Sequence, residues 1–155
     1  FQAAGFGVWA VGYPGYPGSE GTPTQANLVA SALDQYEYLS DAGVEDFAFY
    51  GTSLGAGVAA QLAAAHPPEL LILDAPFNSV LDMSRRQMPI LPVAALLKDK
   101  WRSDTVLTGL DVPLVWIHGT HDRVIPLSQG QKLYDGYAGP KSAHVIPGAS
   151  HINTW

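Results

Sequence analysis

The segment from Gly51 to Gly55, GTSLG, places Ser53 between small residues, after an apolar stretch and before a helical pattern. A serine on a sharp turn from a strand into a helix has an exposed Oγ, and small residues on either side let that turn close. The N–H groups at the start of such a helix point to the position where an oxyanion develops, and Leu54 would supply one of them. The segment therefore predicts a serine nucleophile. The alternative is an ordinary turn in which Ser53 caps the helix.

A nucleophilic serine needs a base that accepts its proton, and the base needs a carboxylate that orients it. The chain has five histidines. Those that follow Ser53 are His118, His121, His144 and His151. We favour His151 as the base, because it lies in a loop after the last predicted strand and leaves room for a strand-end acid before it. The alternative is that His151 is an ordinary surface histidine.

We look for the carboxylate that orients the histidine in the part of the chain between Ser53 and His151. Asp122 stands four residues past a predicted strand, so it can bend back along the carboxyl edge of the sheet, where open parallel sheets place their ligands. There it would bond the far nitrogen of His151, fix its tautomer and stabilise the imidazolium. Asp74 is the second candidate because it also follows a predicted strand, and its alternative role is a hydrogen bond to nearby backbone N–H groups. Further rivals are Asp111 and Asp135.

Glycine and proline divide the chain into alternating strand and helix patterns. Short apolar runs predict strands buried on both faces, and apolar residues at helical spacing predict helices between them. Such alternation implies parallel pairing and an α/β fold with helices on both faces of the sheet. Residues 79–103 are predicted to be irregularly helical, interrupted by Pro89 and Pro92. The predicted strands are 6–11, 44–50, 70–73, 112–118 and 143–146, and the predicted helices include 53–66 and 127–137.

A further helix is predicted to begin with Thr22 as its N-cap. Pro23 would take the first helical position and Gln25 would complete a capping box three residues after the cap. Gly43 is expected to end the helix. The loop that precedes it, residues 12–18, holds two GYP copies, which are too few for a repeat architecture.

Composition limits the classes of protein. The 155 residues suggest a single domain over 1–155, and 47% apolar with 14% charged residues is not a disordered composition. The net charge of −6, with no basic run longer than Arg85–Arg86, gives no footprint for nucleic acid or an anionic membrane. The chain has no cysteine, which excludes disulfides and thiolate chemistry. No apolar run approaches the ~20 residues that span a bilayer, and no H-E-x-x-H spacing indicates a metal site.

In these motifs the chain resembles the α/β-hydrolase superfamily, above all its compact esterases, acyl-thioesterases and monoacylglycerol-lipase-like serine hydrolases. The elbow, the acid stretch HGTHDRVIP and the histidine stretch GASH follow one another in the family's order. Thr52 rather than Trp before the serine argues against a prolyl-peptidase-like enzyme. Gly12 and Pro14 stand where the family usually has an acidic and a basic residue. The similar segments are 8–21, 51–55, 73–79, 118–126 and 148–151.

The resemblance implies a serine hydrolase of carboxylic esters or thioesters. The acyl-enzyme would form on Ser53, with His151 as base, Asp122 as orienting acid and the Leu54 N–H as an oxyanion donor. No cofactor or metal is implied, and the partner is a small-molecule acyl ester. Residues 79–103 take the place of the family's cap, and the alternative is that they simply cover the sheet. The residues expected to line an apolar acyl pocket are Tyr16, Met88, Leu91 and Leu96.

The resemblance also implies missing parts. The family has about three more strands before the matched segments, with a loop that gives the second oxyanion N–H, and a last helix after the histidine. We therefore expect an N-terminally truncated domain in which residues 6–11 lose their strand neighbours. Residues 44–50 would become an exposed edge, through which copies of the chain could associate. The alternative function is accordingly a catalytically impaired fragment or a non-enzymatic binding remnant, and a serine peptidase is a weaker third hypothesis.

Overall fold

The computed structural model of the chain describes residues 1–88 and 90–154, with the backbone alone at Arg86 and Gln87. Pro89, predicted to interrupt the helical segment 79–103, lies outside the described residues. The internal contacts divide the chain into two compact units, Phe1–Val44 and Glu45–Trp155. Each unit is described by itself below.

The first unit contains a short 3₁₀ turn, Gln2–Ala4, and the long helix α1, Gln25–Asp41. The predicted start of α1 was wrong, because the N-cap is Thr24 rather than Thr22. The Oγ1 of Thr24 accepts the Asn27 backbone N–H at 3.2 Å, so the N–H at the third helical position has its partner there. The predicted end is confirmed, since the residue after the cap is Gly43, with a φ of 91°.

Residues 6–11 are not a strand, contrary to prediction. Phe6, Val8 and Trp9 are all more than half exposed, and the Trp9 Nε1 donates to Gln35 Oε1 at 3.0 Å. An apolar run predicts burial, but a strand forms only where a neighbour takes its N–H and C=O groups. The prediction of a strand at residues 6–11 is therefore wrong.

The second unit is built on a parallel sheet of four strands. Its order, β1-β2-β3-β4, follows the chain. The strands are β1 (Ala48–Thr52), β2 (Leu70–Asp74), β3 (Leu114–Gly119) and β4 (Lys141–Ile146). The helices are α2 (Leu54–Ala65), α3 (Val80–Gln87), α4 (Val93–Leu96), α5 (Ser103–Val106) and α6 (Leu127–Gly136). The α/β fold is confirmed, and β1 forms an edge of the sheet as expected.

Some strand bounds differ from the prediction because pairing, rather than apolar composition, defines them. The first strand begins at Ala48, where β1 meets Leu70 of β2, and not at Val44. The last strand begins at Lys141, two residues before the apolar run, because the third and fourth strands already pair there.

The centre of the second unit is apolar and closely packed. Leu71 on β2 and Trp116 on β3 are almost fully buried. Helix α2 meets the rings of Phe77 and Trp101 at Gly57, where a Cβ would come within 2.9 Å of each ring. The missing side chain lets the segments after β2 press against α2, the helix that follows the serine turn. No helix among the described residues is long and apolar enough to cross a membrane.

Helix α6 packs on β3 through another glycine, and this contact generates a prediction. A Cβ on Gly130 would lie 2.5 Å from His118 Nδ1 and 2.6 Å from Trp116 Nε1. Gly130→Ala is expected to lower the free energy of unfolding by about 1–3 kcal/mol, because buried rings must move to admit the methyl group. Urea unfolding followed by circular dichroism measures the change.

Gly136→Ala in the same helix is the matched control. A Cβ there would meet nothing within 4 Å, so this substitution is expected to be neutral or to stabilise by up to about 1 kcal/mol, since alanine is the better helix former. Equal effects of the two substitutions would contradict the packing described for α6.

Candidate active site

The turn between β1 and α2 holds Ser53 in a strained backbone conformation. Its φ of 54° and ψ of −119° lie outside the regions that a serine normally adopts. A Cβ on Gly51 would collide with the carbonyl of Gly55 and lie 2.8 Å from Ala56 Cα, so only glycine fits there. The Ser53 N–H donates to the Asp74 carbonyl at the end of β2, at 2.9 Å. The Ser53 side chain makes no capping hydrogen bond to the helix that it begins.

The structure brings together the serine, the histidine and the aspartate that the motifs singled out. Ser53 Oγ lies 2.9 Å from His151 Nε2. His151 Nδ1 lies 2.7 Å from Asp122 Oδ2. The Asp122 side chain is fully buried, whereas that of His151 keeps 16% of its surface exposed. A hydroxyl, an imidazole and a buried carboxylate thus form one hydrogen-bonded row.

The loop after β3 fixes the carboxylate. Asp122 Oδ1 accepts the backbone N–H groups of Val124, at 2.9 Å, and Ile125, at 2.8 Å. Such a turn, in which an aspartate bonds its own following backbone, is a common local structure of short acidic side chains. It leaves Oδ2 directed at the histidine.

The loop that carries His151 is held close to the end of β3. A Cβ on Gly119 would collide with the carbonyl oxygen of Ala149, so this approach requires glycine. The Ala149 carbonyl accepts the His121 N–H at 2.9 Å, and the Gly148 N–H donates to Thr120 Oγ1 at 2.9 Å. Glycine and two cross-loop hydrogen bonds therefore position the segment that precedes the histidine.

The rival acids have other partners. Asp74 Oδ2 accepts the hydroxyls of Tyr50, at 3.0 Å, and Thr154, at 2.8 Å. Burial of the Tyr50 phenol, together with its hydrogen bond to Asp74, raises the pKa of Tyr50. Asp111 is exposed in a loop, and Asp135 accepts a hydrogen bond from Gln131 on α6.

His118 is fully buried and supports the site from behind. Its Nδ1 accepts the Trp116 Nε1–H at 3.2 Å, and its Nε2 lies 3.0 Å from the Ile125 carbonyl. With Nδ1 accepting, the proton sits on Nε2, and the imidazole is neutral. Burial lowers the pKa of His118 despite the nearby Asp122 carboxylate. Sequence reasoning left this role out, because nothing in the strand pattern identifies the indole as its partner.

An open cleft of about 520 Å³ lies beside the histidine. Val124 and Ile152 give it exposed apolar surface, at 61% and 85% exposure, and Arg123 gives it a cation. Sequence reasoning did not propose any of these three residues for a pocket. The lining residues are His121, Arg123, Val124, Ser150, His151 and Ile152.

The residues that line this cleft do not include any of the four predicted pocket residues. Met88, Leu91 and Leu96 are 43%, 51% and 66% exposed, after α3 and at the end of α4. Tyr16 belongs to the first unit. Their place in an acyl pocket stays a prediction. Among the described residues, no group of three or more histidine or acidic side chains could hold a metal ion.

No family model matches the chain. The chain is 35% identical over 150 residues to Rv2307c of Mycobacterium tuberculosis (strain H37Rv), covering 95% of this chain and 53% of that protein. It is 29% identical over 160 residues to the lysophosphatidylserine lipase ABHD12 of Danio rerio, covering 91% and 42%. With the α/β hydrolase domain-containing protein WAV2 of Arabidopsis thaliana it shares 27% identity over 169 residues, covering 96% and 55%.

Among solved structures, the monoacylglycerol lipase of Paleococcus ferrophilus superimposes with a TM-score of 0.72 at 19% identity. The match covers 97% of this chain and 77% of the lipase, and it shows the shared fold. These similarities support the α/β-hydrolase superfamily for this chain. The expected resemblance is thereby confirmed at the level of the superfamily. The chain spans about half the length of the superfamily relatives that it matches, 53% for the first of them.

The buried imidazole of this α/β-hydrolase chain generates a pH prediction. Burial lowers the pKa of His118 below its ordinary value of 6.5, so the unfolded chain binds the proton first as the pH falls. The free energy of unfolding is therefore expected to drop below about pH 6.5, by at most about 1.4 kcal/mol per pH unit, and to level off below the folded pKa.

Denaturant unfolding between pH 7.5 and 4.5 measures this effect. His118→Gln is expected to show a shallower decline below pH 6.5 than the wild type, whatever its stability at neutral pH. His144→Gln, at an exposed position of β4, controls for the loss of one histidine. A His118→Gln decline as steep as that of the wild type would contradict a neutral buried His118.

Proposed function

We propose that this chain forms the catalytic part of a serine hydrolase that cleaves carboxylic esters, with thioesters as chemically related substrates. The observation that carries the proposal is the hydrogen-bonded row of Ser53, His151 and Asp122, with separations of 2.9 and 2.7 Å. A hydroxyl that contacts a base, which a buried carboxylate orients, is the arrangement that activates serine for acyl transfer.

In the proposed first step, Ser53 Oγ bonds the acyl carbon while His151 Nε2 takes the hydroxyl proton. The carbonyl electron pair moves onto its oxygen and gives an oxyanion. Leu54 is the first residue of α2, where backbone N–H groups have no partner within the helix, so its N–H would stabilise that charge. Asp122 would stabilise the imidazolium that forms.

In the following steps the oxyanion collapses and the bond from the acyl carbon to the leaving oxygen, or sulfur, breaks. The leaving group takes the proton from His151 Nε2 and departs as an alcohol or thiol. Water then attacks the acyl-enzyme, His151 accepts its proton, and the acid product leaves as Ser53 regains a hydrogen. One ester and one water give one alcohol and one acid.

The cleft beside His151 supports an amphipathic substrate. The histidine gives a proton to the leaving group, so that group must lie on the histidine side of the serine. Exposed Val124 and Ile152 offer apolar contact there, and the Arg123 guanidinium offers hydrogen bonds to a polar or anionic group. The lysophosphatidylserine lipase among the sequence relatives supports the choice of an acyl ester.

Ser53→Ala tests the proposal directly. The wild-type protein is expected to hydrolyse p-nitrophenyl acetate and to be labelled by a fluorophosphonate probe on Ser53. Ser53→Ala should lose the labelling and at least about 10³-fold in kcat, since the acyl-enzyme has no atom on which to form. Ser142→Ala, at an exposed position of β4, should keep both. A folded wild type that neither reacts nor is labelled would favour the impaired or non-enzymatic alternative.

Asp122→Asn tests the role of the carboxylate. Because Oδ1 accepts two backbone N–H groups, the amide oxygen should take that position and the NH₂ should face His151 Nδ1. The imidazole would then carry its proton on Nε2 and could not accept one from Ser53. The kcat is expected to fall on the order of 10³–10⁴-fold with stability nearly retained.

Asp135→Asn on α6 is the matched control for Asp122→Asn. It removes the same charge from an exposed position whose partner is Gln131. Steady-state kinetics with p-nitrophenyl acetate compares the two variants. Activity of Asp122→Asn within tenfold of the wild type would exclude Asp122 as the orienting acid.

A further inference from the structure

Asp74 is a buried acid that the proposed mechanism does not use. Only 3% of its surface is exposed, and its Oδ1 is buried without a hydrogen bond from the described residues. A carboxylate in such a place costs stability unless its hydrogen bonds compensate. The position of this buried acid beside the proposed reacting groups therefore indicates a role other than stabilising the fold.

Asp74 joins the two sides of the reaction centre. Its backbone carbonyl accepts the Ser53 N–H at 2.9 Å. Its Oδ2 accepts hydrogen bonds from two hydroxyls. One belongs to Tyr50 on β1, the strand that ends just before Ser53, and the other belongs to Thr154, which follows His151 in the chain. One residue therefore contacts the nucleophile turn, the strand that leads into it, and the segment that leaves the histidine.

The hydrogen bond from Thr154 acts on the part of the histidine loop that follows His151. The bonds of Gly148 and Ala149 hold the loop before His151. After His151, Ile152 is 85% exposed and the Asn153 side chain bonds back to Ser150 in the same loop. Thr154 is 95% buried, and it bonds Asp74 at 2.8 Å. This bond anchors the second side of the loop to the sheet.

We propose that Asp74, acting through Thr154, is a positioning residue that sets the approach of His151 Nε2 to Ser53 Oγ. The inference rests on the proposed function, because the reaction depends on that approach. Loss of the anchor lets the imidazole swing away from the serine hydroxyl without removing any reacting group. A displacement of about 1 Å in such a geometry can cost on the order of 10²-fold in rate.

Thr154→Val tests the proposal, because it keeps the side-chain shape and removes the donor. We expect kcat for p-nitrophenyl acetate to fall about tenfold and the fluorophosphonate labelling rate to fall in parallel, with KM within twofold of the wild type. Thr154→Ser, which restores the hydroxyl, should recover most of the rate. Thr108→Val removes a similar but exposed hydrogen bond, to the Asp104 carbonyl, and should leave the kinetics unchanged.

A second measurement separates this proposal from the proposed function. The proton between His151 Nδ1 and Asp122 Oδ2 is expected to give a downfield NMR signal. Because Ser53→Ala leaves both of these groups in place, the signal reports on the position of His151 in active and inactive protein alike. We expect Thr154→Val to broaden or shift this signal, and Thr154→Ser to keep it. If Thr154→Val does not fold, Thr154→Ala replaces it in both measurements.

Two results would overturn the positioning role. One is a folded Thr154→Val protein with kcat within twofold of the wild type and an unchanged NMR signal. The other is a Thr154→Ser protein as slow as Thr154→Val, because the hydroxyl would then not matter. A wild type without Ser53-dependent activity would instead overturn the proposed function, and the NMR comparison alone would decide the role of Thr154 in placing His151.

Discussion

Parallel pairing is the constraint on which the rest of this site depends. Because β1 to β4 all run in one direction, their carboxyl ends meet at one edge of the sheet. Ser53 follows β1, Asp74 ends β2, Asp122 follows β3 and His151 follows β4. Each strand thus delivers one polar group to the same edge, where hydrogen bonds between residues far apart in the chain become possible.

Close approach of backbones turns this common edge into a defined geometry. Gly51 lets the serine turn close, and Gly119 lets the histidine loop reach the end of β3. A methyl group at either position would collide with a carbonyl. The neutral His118 then fills the space behind the carboxylate with a ring that bonds at both nitrogens. Small residues and one buried imidazole therefore help to set the distances among Ser53, His151 and Asp122.

The sequence allowed prediction of those parts of this arrangement that depend on local motifs. Ser53 sits in a turn motif, and Asp122 and His151 follow strands at short, fixed distances, so strand patterns alone placed all three at one edge. Contacts between distant segments left no such pattern. The bond from Thr154 to Asp74 joins residues whose spacing in the chain says nothing about their meeting. At residues 6–11 the sequence predicted a strand that does not form. An apolar run favours burial, but it does not identify the neighbouring strand that pairing requires.

The order of the strands has a consequence for how the protein is made. Every strand pairs with the next one along the chain, so each strand emerges during synthesis after its neighbour on the amino-terminal side, across the helical segment that connects them. The bond between Ser53 and His151 spans 98 residues and forms after β4 is in place. A ribosome-bound intermediate that ends before β4 would contain Ser53 without His151. The hydrogen-bonded row of Ser53, His151 and Asp122 is therefore completed only after the last strand of the sheet has been made.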